Sequence, residues 1–518
     1  MVLFSSLSRM NTQHPLLHQI LANANDNQRS VIISDKNQQL TWDELVSLAS
    51  CYARELEAIE QEAVAILVDR TVHTPAAVLA CMLAGKAFVP LSADQPEERI
   101  YKSLNQLSCP VVFSFTSQQP SFFETGEFKP IDYIEPSQLS HTFFSSTQAI
   151  SQVCYILFTS GSTGAPKGVI VTVSNLLNTL LWSRLMLDWT DGDVIGLSTN
   201  FFFDISIFDL FTSLFFNVPL HILSNPKDPL STVAEIRERE ITSLFSAPIF
   251  YSSLLRAGLV DKNHLGVLRR IIAGGDFFPP KHMLDWIAAM PELSIYNVWG
   301  PTEASIVNTM HRITEDDKRL LTQNLSVPVG REHAMMPIRI WNPQTKELIT
   351  SPNEQGEILM LGDCVSLGYL GDPERTAEAY IEYDNQRAYR TGDIGYFDGD
   401  GNLFIVGRIG TAVKVNGYRV DLMEVDAAAC SLSDVHLASA FLLQSDESDL
   451  SSVQLCMAIE PKPDCNVDIF QFKQSLRALL PPYMVPKRVF IFESLPKNSN
   501  GKLDRRTIIA DVKSLFNP

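Results

Sequence analysis

The 518-residue sequence has no uninterrupted apolar run long enough to cross a bilayer, no CxxC pair, no internal repeat and no long polar tail. The most apolar window, 201–223, is broken by Asp204 and Asp209, which fits a buried strand–helix segment better than a membrane span. Eight scattered cysteines, Cys51, Cys81, Cys109, Cys154, Cys364, Cys430, Cys456 and Cys465, lack zinc-ligand spacing, and the chain is far longer than a disulfide-stapled domain, so reduced thiols in a cytoplasmic setting are expected. Positive charge is scarce as well. Lys and Arg number 41 against 59 Asp and Glu, a net charge of −18 that repels nucleic acid and anionic membranes, so neither is an expected partner. The N-terminal MVLFSSLSRM carries one cation, Arg9, and no small-residue cleavage site, unlike a secretory leader.

What is present is a large soluble-enzyme composition, 45% hydrophobic and 19% charged, in a chain too long for one core. Strand-like runs at 63–68, 87–91, 111–115, 153–159, 194–198, 243–247 and 269–273 alternate with amphipathic stretches such as 42–57 and 75–83. That rhythm predicts α/β layers. From Arg339 onward short strands and Gly/Asp turns take over, including DGDGN at 398–402, which predicts hairpins. Runs at 435–443, 453–459 and 488–491 with intervening helices suit a small α+β unit. The expected organisation is an α/β core domain with a β-rich subdomain over 1–407, a hinge at 408–410 and a mobile α+β lid over 411–518.

The string YILFTSGSTGAPKGV (155–169) runs from an apolar strand into a loop of small hydroxyl and glycine residues, whose backbone N–H groups can approach phosphate oxygens while Lys167 adds a charge. It is no Walker P-loop, because Lys167 is followed by Gly168 instead of Ser or Thr. NVWGPTEAS (297–305), YRTGD (389–393) and LPKNSNGKLDRR (495–506) follow in order. Together with LTWDEL (40–45) and MLAGKAFVPL (82–91), these strings resemble the adenylate-forming superfamily, specifically the amino-acid-activating domains of nonribosomal peptide synthesis, and the resemblance covers nearly the whole chain.

The resemblance implies ATP and Mg²⁺ as cofactors. Thr159, Ser160, Gly161, Ser162, Thr163, Gly164 and Lys167 would cradle phosphates, with Gly274 and Gly300 also near the nucleotide. Asn297 would meet the adenine amine, Trp299 stack on the base, Thr302 act at the phosphate, Glu303 hold the metal and Asp393 the ribose hydroxyls. Arg408 matches an interdomain arginine near the nucleotide, and Lys502 matches the lid lysine that stabilises charge at the α-phosphate. Trp299 stands where a tyrosine is usual. The family's GRxDxQxK reads GRIGTAVK here, with Gly410 at the hinge and Ala412 in place of glutamine; Lys414 and Gly417 still match and would face the incoming thiol.

Asp204 in FDIS matches the carboxylate that binds an α-ammonium, which favours an amino acid over a fatty or aryl acid. The same position could cap a helix. Alignment assigns Ile205, Phe208, Phe245, Ile271, Ala273, Val298, Ile306 and Val307 to the rest of the pocket. All are apolar, so an aliphatic side chain is expected. The similarity to stand-alone L-proline-activating ligases makes L-proline the leading expectation, with valine, isoleucine and leucine as alternatives. Only 16 residues follow Lys502, so the acyl group is expected to pass to the phosphopantetheine thiol of a carrier protein acting in trans. An acyl-CoA ligase using free CoA is the alternative enzyme; a silent nucleotide sensor would not need Lys502.

Overall fold

The computed structural model describes residues 14–115, 119–134, 144, 151–159, 166–323, 325–408, 412–444, 453–462, 465–496 and 503–515, without the side chains of 408 and 412. Two mostly parallel sheets carry the large domain. In the first, the strands run spatially 309–312, 294–299, 270–273, 243–246, 195–197, 220–222, 31–34 and 39–41, antiparallel only at the two edges. The second orders 368–369, 167–172, 153–159, 87–92, 63–68, 111–114 and 129–131. The interior strands are near-continuous apolar runs because both faces are covered: Ala63–Val68 is buried except at its two end residues, and Ala87–Ser92 is buried throughout.

The crossover helices form where the sequence spaces apolar residues at helical period. Trp42–Glu55 opens on a capping box, in which Thr41 and Glu44 satisfy each other's backbone N–H groups. The window 201–223 resolves into the helix Asp204–Phe216 and the strand Leu220–Ile222. Among the described residues no helix is long and apolar enough to cross a membrane.

From Gly330 to Arg408 an antiparallel sheet forms, with strands ordered 330–331, 402–408, 386–397, 356–361, 338–342 and 347–349. The DGDGN string makes the turn between Gln386–Phe397 and Asn402–Arg408, with Asp398 accepting from the N–H groups of Asp400 and Asn402. Beyond it lie a hairpin, Ala412–Val415 with Tyr418–Asp421, and a three-stranded sheet of Val435–Gln444, Val453–Pro461 and Arg488–Ile491, with a core of their own built on Val425, Leu455, Met457 and Leu476. This is the mixed α/β architecture of large N-terminal and smaller C-terminal parts. The proposed hinge residue Gly410 lies outside the described residues.

Candidate active site

In the first sheet the interior strands are parallel, so their carboxyl ends emerge on one side. Asp204 follows Ile195–Leu197, Ala247 follows Ser243–Ser246, Gly274 to Asp276 follow Arg270–Ala273, and Gly300 to Glu303 follow Ser294–Trp299. A crevice at such strand ends is where open α/β sheets bind ligands.

Asp204 is the first residue of its helix, preceded by a Phe203 cap that lends no side-chain hydrogen bond. It therefore does not serve as the cap. One carboxylate oxygen accepts from the N–H of Ile205 at 2.9 Å and the other from the Thr302 hydroxyl at 2.5 Å. Burial pushes the carboxyl up from its ordinary value, opposed by those hydrogen bonds and by the Lys414 cation.

Glu303 is fully buried in a single-turn 3₁₀ segment, Thr302–Ala304. Lys167 Nζ lies 3.0 Å from its Oε1, the Tyr369 hydroxyl 3.1 Å and Arg419 Nη1 3.0 Å. Burial alone would raise this carboxyl, yet Lys167 and Arg419 hold it well below the usual carboxylate range. Lys167, assigned to phosphate by its motif, has the Tyr369 hydroxyl as a second partner at 3.0 Å.

On the neighbouring wall Trp299 donates its indole N–H to Asp393 at 3.0 Å. Asn297 donates its amide N–H to the Pro328 carbonyl at 3.0 Å, which fixes the side chain's oxygen as its remaining acceptor. Gly300 permits a close approach: a Cβ there would stand 2.4 Å from the Ile306 carbonyl oxygen and 2.8 Å from Asn308 Oδ1. Opposite it, Val307 N–H reaches the Ser305 carbonyl at 3.0 Å around Ile306, whose φ of 80° is strained for a β-branched residue. Thr159 ends its strand with a buried hydroxyl that has no hydrogen-bond partner among the described residues. Ser160, Gly161, Ser162, Thr163, Gly164 and Lys502 lie outside the described residues, as does the Arg408 side chain; the Arg408 backbone pairs with Asp393.

The apolar pocket needs one correction. Parallel registers pair Phe245 with Ile272 and Ile272 with Tyr296, while Leu244 pairs with Ile271 and Ser246 with Ala273. Side chains alternate faces along a strand, so Ile271 and Ala273 point away from Phe245. They sit in a separate core with Leu244 and Ile295, whereas Ile205, Phe208, Phe245, Ile272, Val298, Ile306 and Val307 share one cluster. A Cβ at Gly274 would come 2.5 Å from Val298 and 3.1 Å from Phe245, so Gly274 lies against these two side chains. Phe208 and Phe245 meet edge to face at 5.5 Å. Ile271 and Ala273, expected beside Phe245, thus lie on the opposite face of the strand, and Ile272 and Gly274 lie on its side.

The hairpin of Ala412–Val415 and Tyr418–Asp421 docks into the same crevice. Gly417, at φ 86°, donates its N–H to Asp276 at 3.1 Å, and a Cβ there would lie 2.6 Å from that of Ala247. Tyr418 packs edge-on against Phe203 at 4.8 Å, and Arg99 pairs with Glu424. Lys414 acts electrostatically on both Asp204 and Asp276.

The model of AMP-binding enzymes matches residues 21–370. The chain belongs to the AMP-binding enzyme family. It is 28% identical over 453 residues to a D-alanine–D-alanyl carrier protein ligase of Bacillus cereus, covering 84% of this chain and 86% of that protein. The fold matches the Vibrio cholerae adenylation domain AlmE, solved with glycyl-adenosine-5'-phosphate, at TM-score 0.82 and 23% identity over 98% and 99% of the two chains. It equally matches o-succinylbenzoate CoA synthetase of Bacillus subtilis, at TM-score 0.82 and 20% identity over 94% and 97%.

Within this family member, motif reading missed Tyr369, Asp276, Ile272 and Arg419. Arg419 had a visible signal, since it stands two residues beyond Gly417 in the string expected to face the thiol. The residues fit the family's nucleotide: among the described residues the buried Thr159 hydroxyl has no partner, and it directly precedes the hydroxyl- and glycine-rich string 160–164. Among the described residues no group of three or more His, Cys, Asp or Glu could hold a metal unaided. One carboxylate completed by substrate phosphates is a usual magnesium arrangement, and Glu303 is the residue that would supply that carboxylate.

Proposed function

We propose that this enzyme joins an aliphatic amino acid to ATP, releasing pyrophosphate, and passes the aminoacyl group to the phosphopantetheine thiol of a separate carrier protein. One observation carries the reading: a carboxylate, Asp204, stands one residue before Ile205 of a cluster of apolar side chains and is hydrogen-bonded to Thr302. Such an arrangement recognises an ammonium beside an aliphatic group; a fatty or aryl acid has nothing for Asp204 to pair with.

In the first half-reaction the substrate carboxylate attacks the α-phosphorus and the bond to pyrophosphate breaks. Asn297, Trp299 and Asp393 orient adenine and ribose, while Thr159, the 160–164 loop and Thr302 hold phosphates. Lys502 and Arg408 stabilise the charge developing on the phosphate oxygens. Mg²⁺, held by Glu303, would neutralise phosphate charge. In the second half-reaction the carrier thiolate attacks the acyl carbon and AMP leaves, with the hairpin of Lys414 and Gly417 lining the thiol's approach and Gly410 the hinge.

L-proline is the leading candidate acid, its ring matching an apolar pocket narrowed by Phe208 and Phe245. The curated relative named for D-alanine and the neighbour holding a glycyl adenylate support small apolar acids in general. Pyrophosphate exchange over L-proline, L-valine, L-isoleucine, D-alanine, glycine, octanoate and benzoate tests this, followed by loading of carrier protein against free CoA. Exchange led by L-proline, with loading of carrier only, is expected. Exchange led by octanoate or benzoate, or thioester formation with free CoA, would replace the reading with an acyl-CoA ligase.

A further inference from the structure

We propose that a divalent cation and the guanidinium of Arg419 compete for the carboxylate of Glu303, so that the metal must leave before the lid hairpin can dock. This rests on the reading above that Glu303 holds the metal. The buried carboxylate already has Lys167 at 3.0 Å and Arg419 at 3.0 Å on Oε1, with Arg419 3.4 Å from Oε2. The Tyr369 hydroxyl donates to the same Oε1. With Arg419 Nη1 3.0 Å from Oε1, a metal at its ordinary distance of about 2.1 Å from the carboxylate would lie within a few ångströms of the guanidinium. Like charges so close in a pocket sheltered from water repel strongly.

Arg419 reaches Glu303 from the strand Tyr418–Asp421 of the lid. The same hairpin is held by Gly417 on Asp276, by Tyr418 against Phe203, and beyond it by Glu424 on Arg99. The guanidinium therefore sits on Glu303 because the hairpin is docked, and the carboxylate carries either the metal or the lid. Departure of metal with pyrophosphate frees Glu303 for Arg419, which orders the two half-reactions.

The test uses the full-length protein and MnCl2, with bound metal measured by electron paramagnetic resonance. Arg419→Ala should bind Mn²⁺ at least ~10-fold more tightly than wild type, and Arg419→Lys should stay near wild type. Glu303→Gln should lose the site; Glu303→Asp, which retracts the carboxylate, serves if that variant does not fold. In wild type, MnCl2 should also speed amide exchange across 412–421, with no such change when Glu303 is replaced. Equal Mn²⁺ affinity in wild type and Arg419→Ala, with binding lost in the Glu303 variant, overturns the competition and leaves the metal assignment standing. Mn²⁺ binding indifferent to Glu303 overturns both.

Discussion

Trp299 donates its indole N–H to Asp393 at 3.0 Å, joining the residue proposed to stack on adenine to the residue proposed to hold the ribose. Tryptophan at this position therefore offers a hydrogen-bond donor as well as a π face. A hydrogen bond to a charged group contributes roughly 1.5–3 kcal/mol. Trp299→Phe, which keeps a ring and removes the donor, should lower kcat/KM for ATP by ~10–100-fold while leaving the KM for the amino acid nearly unchanged. Pyrophosphate exchange at varied ATP checks this; an unaltered ATP dependence would remove the Trp299–Asp393 bond from nucleotide binding.

Asp204 is the proposed anchor for the α-ammonium. Asp204→Ala should raise the amino-acid KM by at least ~100-fold, since it leaves a desolvated cation unpaired, while ATP still protects the protein in a thermal melt. Wild-type exchange in that variant would sink the assignment.

The face of the strand Arg270–Ala273 that lines the pocket can be tested with adjacent residues. Ile272→Ala should widen the pocket and shift selectivity toward larger acids. Ile271→Ala, packed in the opposite core, should cost ~2–5 kcal/mol of stability with selectivity retained. A panel of amino acids read beside denaturant melts separates the two; the reverse pattern would restore Ile271 to the pocket.

His73 is buried with Nδ1 2.8 Å from the Tyr52 hydroxyl and Nε2 without a partner among the described residues. Burial lowers its pKa to about 4, with Asp35 opposing. The folded value lies below the unfolded one, so stability present above pH ~6.5 is lost as pH falls toward 4. Thermal melts from pH 7 to 4 should show a shallower acid slope for His73→Gln than for wild type. Parallel slopes would mean that His73 does not protonate on unfolding.

Gly410, as the proposed hinge, must adopt two backbone conformations, and proline permits at most one. Gly410→Pro should stay folded and separate the half-reactions, keeping pyrophosphate exchange and abolishing carrier loading. Lys502→Ala should do the opposite, losing exchange yet transferring from supplied aminoacyl-adenylate. A folded Gly410→Pro protein that loads carrier at the wild-type rate would place the hinge elsewhere.

The sequence by itself determined the strands and the chemistry available to the site. Ala63–Val68, Val153–Thr159 and Arg488–Ile491 form where apolar runs are bounded by turn residues, because local periodicity fixes which residues can be buried. The motif strings likewise marked Asp204, Glu303 and Asp393. Only the tertiary structure decided that Ile272 and Gly274, not Ile271 and Ala273, share a face with Phe245. Shifting a strand by one residue reverses every side chain while leaving its apolar composition unchanged, so no local signal separates the two registers. The Arg419–Glu303 and Trp299–Asp393 pairs were hidden for a related reason: their partners lie 116 and 94 residues apart, and packing between separately folded elements sets their separation in space.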